Sequence, residues 1–453
     1  MNSSLTNLNN EGKYCILFPV EIVPRELNYK LLLAIKLASL GYKCYLGEKA
    51  EIWRLFSLLN NFAYLDKGYD KIVSRQHIYE KVTRNKGLIF HLDDEGGVDF
   101  EGSPTLIRRY SDDVFNFSSK IFLWGKNQDE IIKRNCAVYE EKKIVISGHP
   151  RFQLLLPPYD EIHAENSDKL RKKYGDYILF NLNTKYSNHI RGELFLRNNY
   201  GKRVANLSDR IAYDSTKLTY NVDLIKALSE QTKYIIIIRP HPEENIEYYK
   251  ELFSAVKNVF AVYDDDVIPW IMACKFMIHN DCTTAIESAI AGKIPLAFNT
   301  NISSTLSAPG PLQVSKKFDN INSIIAHINK DLPTHASAKE SVLEDSFSVH
   351  LDSLNIIVSQ IDGHIKKVIG KKATSTLFHP IKYKITSYIR KIIYRAYRFI
   401  RSNRLINKLG TNKLIGLDDK ALVYKKYQRL VHVDSTKSIK ISNPRPKLYV
   451  IEK

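Results

Sequence analysis

Three short stretches place reactive side chains directly after apolar runs. In LIFHLDDEGG (88–97), five residues that read as a buried strand stop at Asp93, Asp94 and Glu95, followed by Gly96 and Gly97. A carboxylate at such a tip can take the proton of an attacking hydroxyl, and the glycines let backbone approach a ligand. The same residues also fit a strand followed by a solvated acidic turn. In IIIIRPHPEEN (235–245), four isoleucines run into Arg239, Pro240, His241 and Pro242. The prolines end the strand and pin the loop. Arg239 offers a planar fork of donors suited to phosphate, and His241 can give a hydrogen bond or a proton to a departing phosphate.

The third stretch, FMIHNDCTTAIESAIAGKIPLAF (276–298), reads as a strand, a polar turn with Asn280, and a helix beginning near Thr283 and Thr284. Hydroxyls there suit helix capping, with Glu287 completing a capping box with Thr284. The same turn presents free N–H groups to an anion. It follows the RPHP turn by some forty residues, and the two together read as one phosphate site. Smaller candidates for a cleft are Arg25 and Glu26 at the start of the first helix, His149 and Arg151 in SGHPRF, and Asn183 in LFNLNTKYSN. Capping and loop structure explain these nearly as well.

Other chemistries lose ground. The chain has no G-x-x-x-x-G-K-[ST], no G-x-G-x-x-G after the first strand, no G-x-S-x-G and no H-E-x-x-H. No His/Cys/Asp set calls for a metal, and no cofactor is expected. The five cysteines are scattered and never spaced as CxxC, which suits a reducing cytoplasm better than a disulfide framework or a zinc site. The N-terminal stretch lacks the pattern of a signal peptide, and no apolar run is long enough to span a bilayer.

Such strand tips need a sheet to hold them. Over the first 345 residues short apolar strands alternate with helical patterns, beginning with CILFPV, ELNYKLLLAIKLASLG and YKCYLG. Continuous apolar strands in β–α alternation imply parallel sheets covered on both faces. Two such series, parted by the polar stretch 157–168, imply two Rossmann-like domains with a cleft between them. The boundaries read as residues 1–160, 161–345 and a C-terminal extension, 346–453. Ligands of such sheets sit at the carboxyl ends of the strands, where the three stretches end.

Charge is uneven. The chain of 453 residues carries 67 Lys and Arg against 49 Asp and Glu, a net +18. Between positions 366 and 413 lie fourteen of the cations and no acid. Apolar residues at 385, 389, 392, 393, 396, 399 and 400 make 380–408 a basic amphipathic helix, suited to an anionic membrane surface. Nucleic-acid binding and simple packing against the body of the protein are the weaker readings. Mean hydropathy of −0.27 argues against an integral membrane protein.

The motifs RELNYKLLLAIKLASLGYKCYLG, DDEGG, LWGKNQDEIIKR, SGHPRFQLL, YILFNLNTKYSN, RPHPEEN and HNDCTTAIESAIAGKIPLAF resemble the bacterial surface carbohydrate biosynthesis proteins, over about residues 13–300. The acidic motif and the HP pair also resemble bacterial sialyltransferases and Kdo transferases. That resemblance implies a GT-B architecture and transfer of an acidic sugar, Kdo or a nonulosonate, from a CMP-activated donor to a glycan or lipid-linked glycan during lipopolysaccharide or capsule synthesis. It puts Asp94 in the place of the catalytic carboxylate, with Asp93 or Glu95 as alternatives, and Gly96 beside them. His241 takes the place of the residue contacting the CMP phosphate, and Thr283 and Thr284 that of the phosphate-binding turn. Asn183, Arg239, Pro242 and Asn280 join the nucleotide side, while Arg25, Glu26, Asp93, Gly96, Gly97, His149 and Arg151 join the acceptor side. The expected location is the inner face of the cytoplasmic membrane. Teichoic-acid-type enzymes that transfer a polyol phosphate from a CDP-polyol resemble the second half almost as well, and a non-catalytic assembly scaffold is the third reading.

Overall fold

The computed structural model describes residues 13–377 and 416–453, apart from 69–75, 96–98, 100–101, 202–203, 205, 264–265, 299–305, 332–339, 371–373 and 437, together with Ile385, Tyr388, Ile389 and Ile392. The strands are β1 (Cys15–Val20), β2 (Lys43–Glu48), β3 (Leu59–Asn60), β4 (Phe62–Asp66), β5 (Leu88–Leu92), β6 (Ser118–Leu123) and β7 (Ile144–Ile146). After them come β8 (Tyr177–Asn181), β9 (Ile235–Arg239), β10 (Val259–Ala261), β11 (Phe276–His279), β12 (Leu296–Phe298) and β13 (Lys316–Phe318), then β14 (Thr376–Leu377), β15 (Lys440–Arg445) and β16 (Leu448–Glu452).

Two sheets organise the molecule. The first runs β15-β16-β2-β1-β4-β5-β6-β7 and the second β10-β9-β8-β11-β12-β13. The second is parallel throughout, with Tyr177 to Asn181 of β8 in register with Ile235 to Arg239 of β9. Its inner strands β8, β9, β11 and β12 are buried on both faces, which is why they read as largely apolar runs with no alternation. In the first sheet β2 to β7 are parallel, while β16 pairs antiparallel with β2 and closes the edge.

The order of strands reverses between β1 and β4 in one sheet and between β8 and β11 in the other. Loops on either side of such a point diverge and leave a crevice at the carboxyl ends. An apolar cluster that includes Trp124, Phe152, Ile286, Ala289 and Phe347 joins side chains that follow β6 with the helix Thr284–Ile290 that follows β11. That packing fixes how the two sets of strand ends face each other.

The C-terminal residues are part of the first unit. The helices Ser353–Val368 and Lys420–Val433 both pack on Val23–Ser39, and the β15–β16 hairpin extends the first sheet. Buried Arg445 lies 2.7 Å from Glu51 and anchors the hairpin to the helix Lys49–Leu55. The expected basic helix over 380–408 lies outside the described residues except for Ile385, Tyr388, Ile389 and Ile392. These four are helical and exposed. Their spacing of three and four residues puts them on one face.

Candidate functional site

A cleft of about 550 Å³ opens between the carboxyl ends of the two sheets, within the size range of small-molecule sites. From the second sheet it receives Arg239, His241 and Pro242 after β9, Asn183 after β8, and Thr283 and Thr284 after β11. From the first it receives Arg25, Glu95 and Arg151.

The RPHP loop is held from beneath. The buried carboxylate of Glu244 accepts hydrogen bonds from Thr184 N (2.7 Å), Thr184 Oγ1 (3.0 Å), His241 N (3.2 Å) and Tyr249 Oη (2.6 Å). Burial raises its pKa, while those four donors act against the rise. His241 Nδ1 accepts from the Glu243 amide at 3.2 Å. A ring nitrogen that accepts carries no proton, so in neutral His241 the hydrogen sits on Nε2, the other edge of the ring. Arg239 is packed against aromatic faces, its guanidinium carbon 5.4 Å from the Trp270 ring centre and 5.8 Å from that of Tyr263. Such stacking fixes the plane of the donor fork.

The third stretch differs from its expected capping. Thr283 and Thr284 make no capping hydrogen bond to the helix Thr284–Ile290. Thr284 Oγ1 accepts from Asn181 Nδ2 at 2.8 Å and lies 3.1 Å from Cys282 Sγ, while Glu287 Oε1 stands 3.7 Å from Arg151 of the first unit. Asn280 is corrected as a nucleotide-side residue. It is buried, exchanging hydrogen bonds of 2.8 and 2.9 Å with Asn221 and donating to the Phe298 carbonyl. Asn183 stays at the wall, its amide 3.2 Å from Asp281 and its carbonyl held by Lys217 at 2.8 Å.

The three consecutive acids do three different things. Asp93 turns inward and takes a two-pronged contact from Arg109 at 2.5 and 2.6 Å, and its Oδ1 accepts from the Glu95 amide at 2.9 Å. Asp94 is also buried: Tyr29 Oη donates to it at 2.5 Å, Lys30 Nζ at 3.3 Å, and His149 Nε2 stands 3.3 Å away. Burial opposes its ionisation, but Lys30, His149 and Lys67 hold its carboxyl well below the usual range. Only Glu95 of the three lines the cleft, its side chain about half exposed and 3.4 Å from Arg109. The expectation that the Asp94 carboxylate faces an acceptor is thereby corrected, and so is the cleft position of Asp93.

Glu26 and His149 are corrected for the same reason. Glu26 is fully buried, where it accepts from the Glu21 and Ile22 amides at 3.0 Å and pairs with Lys30 at 2.8 Å and Lys67 at 2.6 Å. It closes the turn after β1 and carries no face to solvent. His149 lies between the rings of Tyr29 and Trp124, with Nδ1 accepting from the Arg151 amide. Arg151 itself reaches the cleft, donating to the Asp94 carbonyl at 3.1 Å and stacked on Trp124. Gly96 and Gly97 lie outside the described residues.

Sequence reading missed Asn28, Lys185, Tyr200 and Tyr263, which also line the cleft. Asn28 and Lys185 lie within quoted motifs whose pattern does not single them out, and no motif marks Tyr200 or Tyr263. Among the described residues no group of three or more His, Cys, Asp and Glu is arranged to hold a metal ion.

Burial also sets an acid sensitivity. It pushes the His149 ring down to about 4, Asp94 opposing, and the His279 ring to about 4 as well. An unfolded chain takes up these protons near pH 6.5, before the folded one does, so stability should fall as pH drops from about 6.5 to about 4. Each ring contributes on the order of 3 kcal/mol across that window. The expected result is a midpoint in denaturant that declines over that range, with a shallower decline in His279→Gln. An identical decline in the variant would remove His279 from the account.

No family model matches the chain, and no curated protein matches it. Among solved structures, the wall teichoic acid polymerase TagF is similar over 79% of this chain and 89% of its own, at 11% identity and a TM-score of 0.50. UDP-GlcNAc 2-epimerase from Methanocaldococcus jannaschii is similar over 74% and 81%, at 15% identity and 0.44. That from Neisseria meningitidis is similar over 77% and 99%, at 10% and 0.46. The likeness to the first of these is one of fold: the protein is α/β, with two parallel-sheet domains in the GT-B arrangement.

Proposed function

We propose that the protein is a glycosyltransferase of bacterial surface polysaccharide synthesis, moving an acidic sugar from a CMP-activated donor to a glycan acceptor. The observation that carries this reading is the convergence in one cleft of Arg239, His241, Thr283 and Thr284 opposite Glu95, Arg25 and Arg151. The second-sheet group offers donors of the kind that bind a phosphate. Arg25 and Arg151 offer positive charge to a sugar carboxylate, which favours an acidic sugar over a neutral one. Glu95 takes the proton of the acceptor hydroxyl as its oxygen bonds to the anomeric carbon. The bond from that carbon to the phosphate oxygen breaks, and CMP leaves with the electron pair, its new charge met by His241 Nε2–H and Arg239.

A second reading has one observation of its own. TagF, a structure of similar fold, is a wall teichoic acid polymerase solved with CDPG. Under that reading the cleft moves a polyol phosphate from a CDP-polyol, and the same His241 and Arg239 meet departing CMP. A scaffold without turnover would bind nucleotide and transfer nothing.

The segment 366–413 is proposed to rest on an anionic membrane surface at the inner face of the cytoplasmic membrane. The exposed face of Ile385, Tyr388, Ile389 and Ile392 supports this, apolar residues amid lysines and arginines. Among the described residues no helix is long and apolar enough to cross a membrane.

The test is thermal shift with CMP, CDP, UDP, GDP and ADP, using His241→Ala as control. Selective stabilisation by CMP, about 2.7 kcal/mol at a hundredfold excess over Kd, should vanish in the variant. A preference for UDP or GDP would end the cytidine assignment. CMP binding followed by transfer of a phosphopolyol would establish the second reading.

A further inference from the structure

The main chain that carries Glu95 is fixed at each polar group leading up to it. The Asp93 carbonyl accepts from Trp124 Nε1 at 2.7 Å, and the Asp94 amide donates to the Lys67 carbonyl at 3.1 Å. The Asp94 carbonyl accepts from Arg151 at 3.1 Å, and the Glu95 amide donates to Asp93 Oδ1 at 2.9 Å. Asp93 and Asp94 are themselves buried on their own partners. What remains to be set is the side chain of Glu95, which projects into the cleft.

Arg109 reaches that side chain. It is the last residue of the helix Pro104–Arg109 and largely buried; its Nε and Nη2 hold Asp93 while its Nη1 stands 3.4 Å from Glu95 Oε2. A guanidinium can serve both carboxylates because its N–H groups lie in one rigid plane, so a fork on the first fixes where the remaining nitrogen points. Arg109 is locked in turn. The next residue, Tyr110, accepts from Gln128 at 3.0 Å, Gln128 accepts from the Trp124 amide at 2.7 Å, and the Trp124 indole closes the ring on the Asp93 carbonyl. Gly68 lies against the fork with φ of +135°, where a Cβ would stand 2.6 Å from Arg109 Nη2 and 2.9 Å from Asp93 Oδ1. Such an approach requires glycine.

Within this trio two of the three contacting nitrogens are committed to buried Asp93. The third makes a longer contact, with one oxygen of an exposed carboxylate. That geometry orients Glu95 and leaves it able to take a proton. Placement of a reacting group matters steeply, a shift of about 1 Å costing about 10²-fold in rate.

We propose that Arg109 is the positioning residue for Glu95: through Nη1 it holds Oε2, with its other nitrogens anchored on Asp93, so that the second carboxylate oxygen of Glu95 meets the acceptor hydroxyl. The catalytic consequence rests on the transferase reading. The holding of Glu95 by Arg109 does not.

The experiment uses the full chain and Arg109→Lys. A single ammonium stays with Asp93, whose unpaired charge would be buried, and releases exposed Glu95, so the fold is kept while the placement is lost. CMP release from CMP-Kdo and from CMP-N-acetylneuraminate is followed in the parent, in Arg109→Lys, in Glu95→Gln and in the double variant. Arg109→Lys is expected to lower kcat by about 10- to 100-fold and to leave KM within about threefold. In the Glu95→Gln background the same change should matter by less than about twofold, because Arg109 acts through Glu95. An equal loss in both backgrounds, or a parental rate in Arg109→Lys, would overturn the proposal. A second arm needs no turnover: carbodiimide coupling of glycine ethyl ester to Glu95, read by mass spectrometry, should run severalfold faster in Arg109→Gln than in the parent, with buried Asp94 still unlabelled as the check on the fold. Unchanged labelling of Glu95 would show that Arg109 does not hold it. If the parent releases CMP from neither donor, the acidic-sugar reading fails and the labelling arm alone decides whether Arg109 holds Glu95, so the two can fail separately.

Discussion

Glu95→Gln is expected to lower kcat by about 10²- to 10⁴-fold, the range for removing a general base, with the stability and nucleotide affinity of the parent protein. Asp94→Ala is expected to do the reverse kind of damage. The Asp94 carboxylate is buried against Tyr29, Lys30 and His149, so its removal leaves a hydroxyl and two ammonium groups, those of Lys30 and Lys67, without one of their counterparts. Breaking a buried ion pair from one side costs about 3–5 kcal/mol. Here the lower end applies, because Glu26 still holds both lysines. Denaturant midpoints and steady-state kinetics on the two variants, with Asp94→Asn as an isosteric third, separate the roles. A stable Asp94→Asn without activity, beside an active Glu95→Gln, would restore Asp94 as the catalytic carboxylate.

What made this pair hard to read from sequence is a matter of one peptide unit. The pattern LIFHL-acid marks where β5 ends, and the parallel sheet dictates that this end faces the crevice. Which of three successive carboxylates then turns outward depends on partners far along the chain. Arg109 draws Asp93 inward and Tyr29 and Lys30 draw Asp94, leaving Glu95 at the cleft. Spacing within the motif says nothing about any of them. The second sheet was more legible, because the four isoleucines of β9 and the prolines after them specify a strand, its end and its loop locally. Asn280 marks the limit there: the sequence shows a polar residue after a strand, and only tertiary structure supplies Asn221 and the Phe298 carbonyl that occupy it. The C-terminal hairpin was opaque for the same reason. Its residues pair with β2, some four hundred positions away, and antiparallel to strands that are otherwise parallel.

His241→Ala carries the other large expected effect, a fall in kcat of about 10²- to 10³-fold, comparable to removing one donor from an oxyanion site. The argument begins with Glu244. Its carboxylate takes four hydrogen bonds and thereby fixes Thr184, Tyr249 and the backbone of His241 as one unit. The Glu243 amide then occupies Nδ1, and the hydrogen on Nε2 can serve the phosphate that departs. Because that charge develops during bond breaking, the loss should appear in kcat more than in KM. A donor with a more acidic leaving group should recover part of the rate, since it needs less help from Nε2–H. Glu244→Gln tests the support beneath it. An amide can keep its oxygen on the two backbone N–H groups, but its NH2 then meets the Thr184 and Tyr249 hydroxyls that now donate at that position; turning those hydroxyls to accept strands their hydrogens, which costs up to about 1–3 kcal/mol and should lower kcat by letting the ring move, with His241 intact. If His241→Ala instead raised KM and left kcat within about threefold of the parent, His241 would be a ground-state phosphate contact, and the charge on the leaving group would have to be met by Arg239.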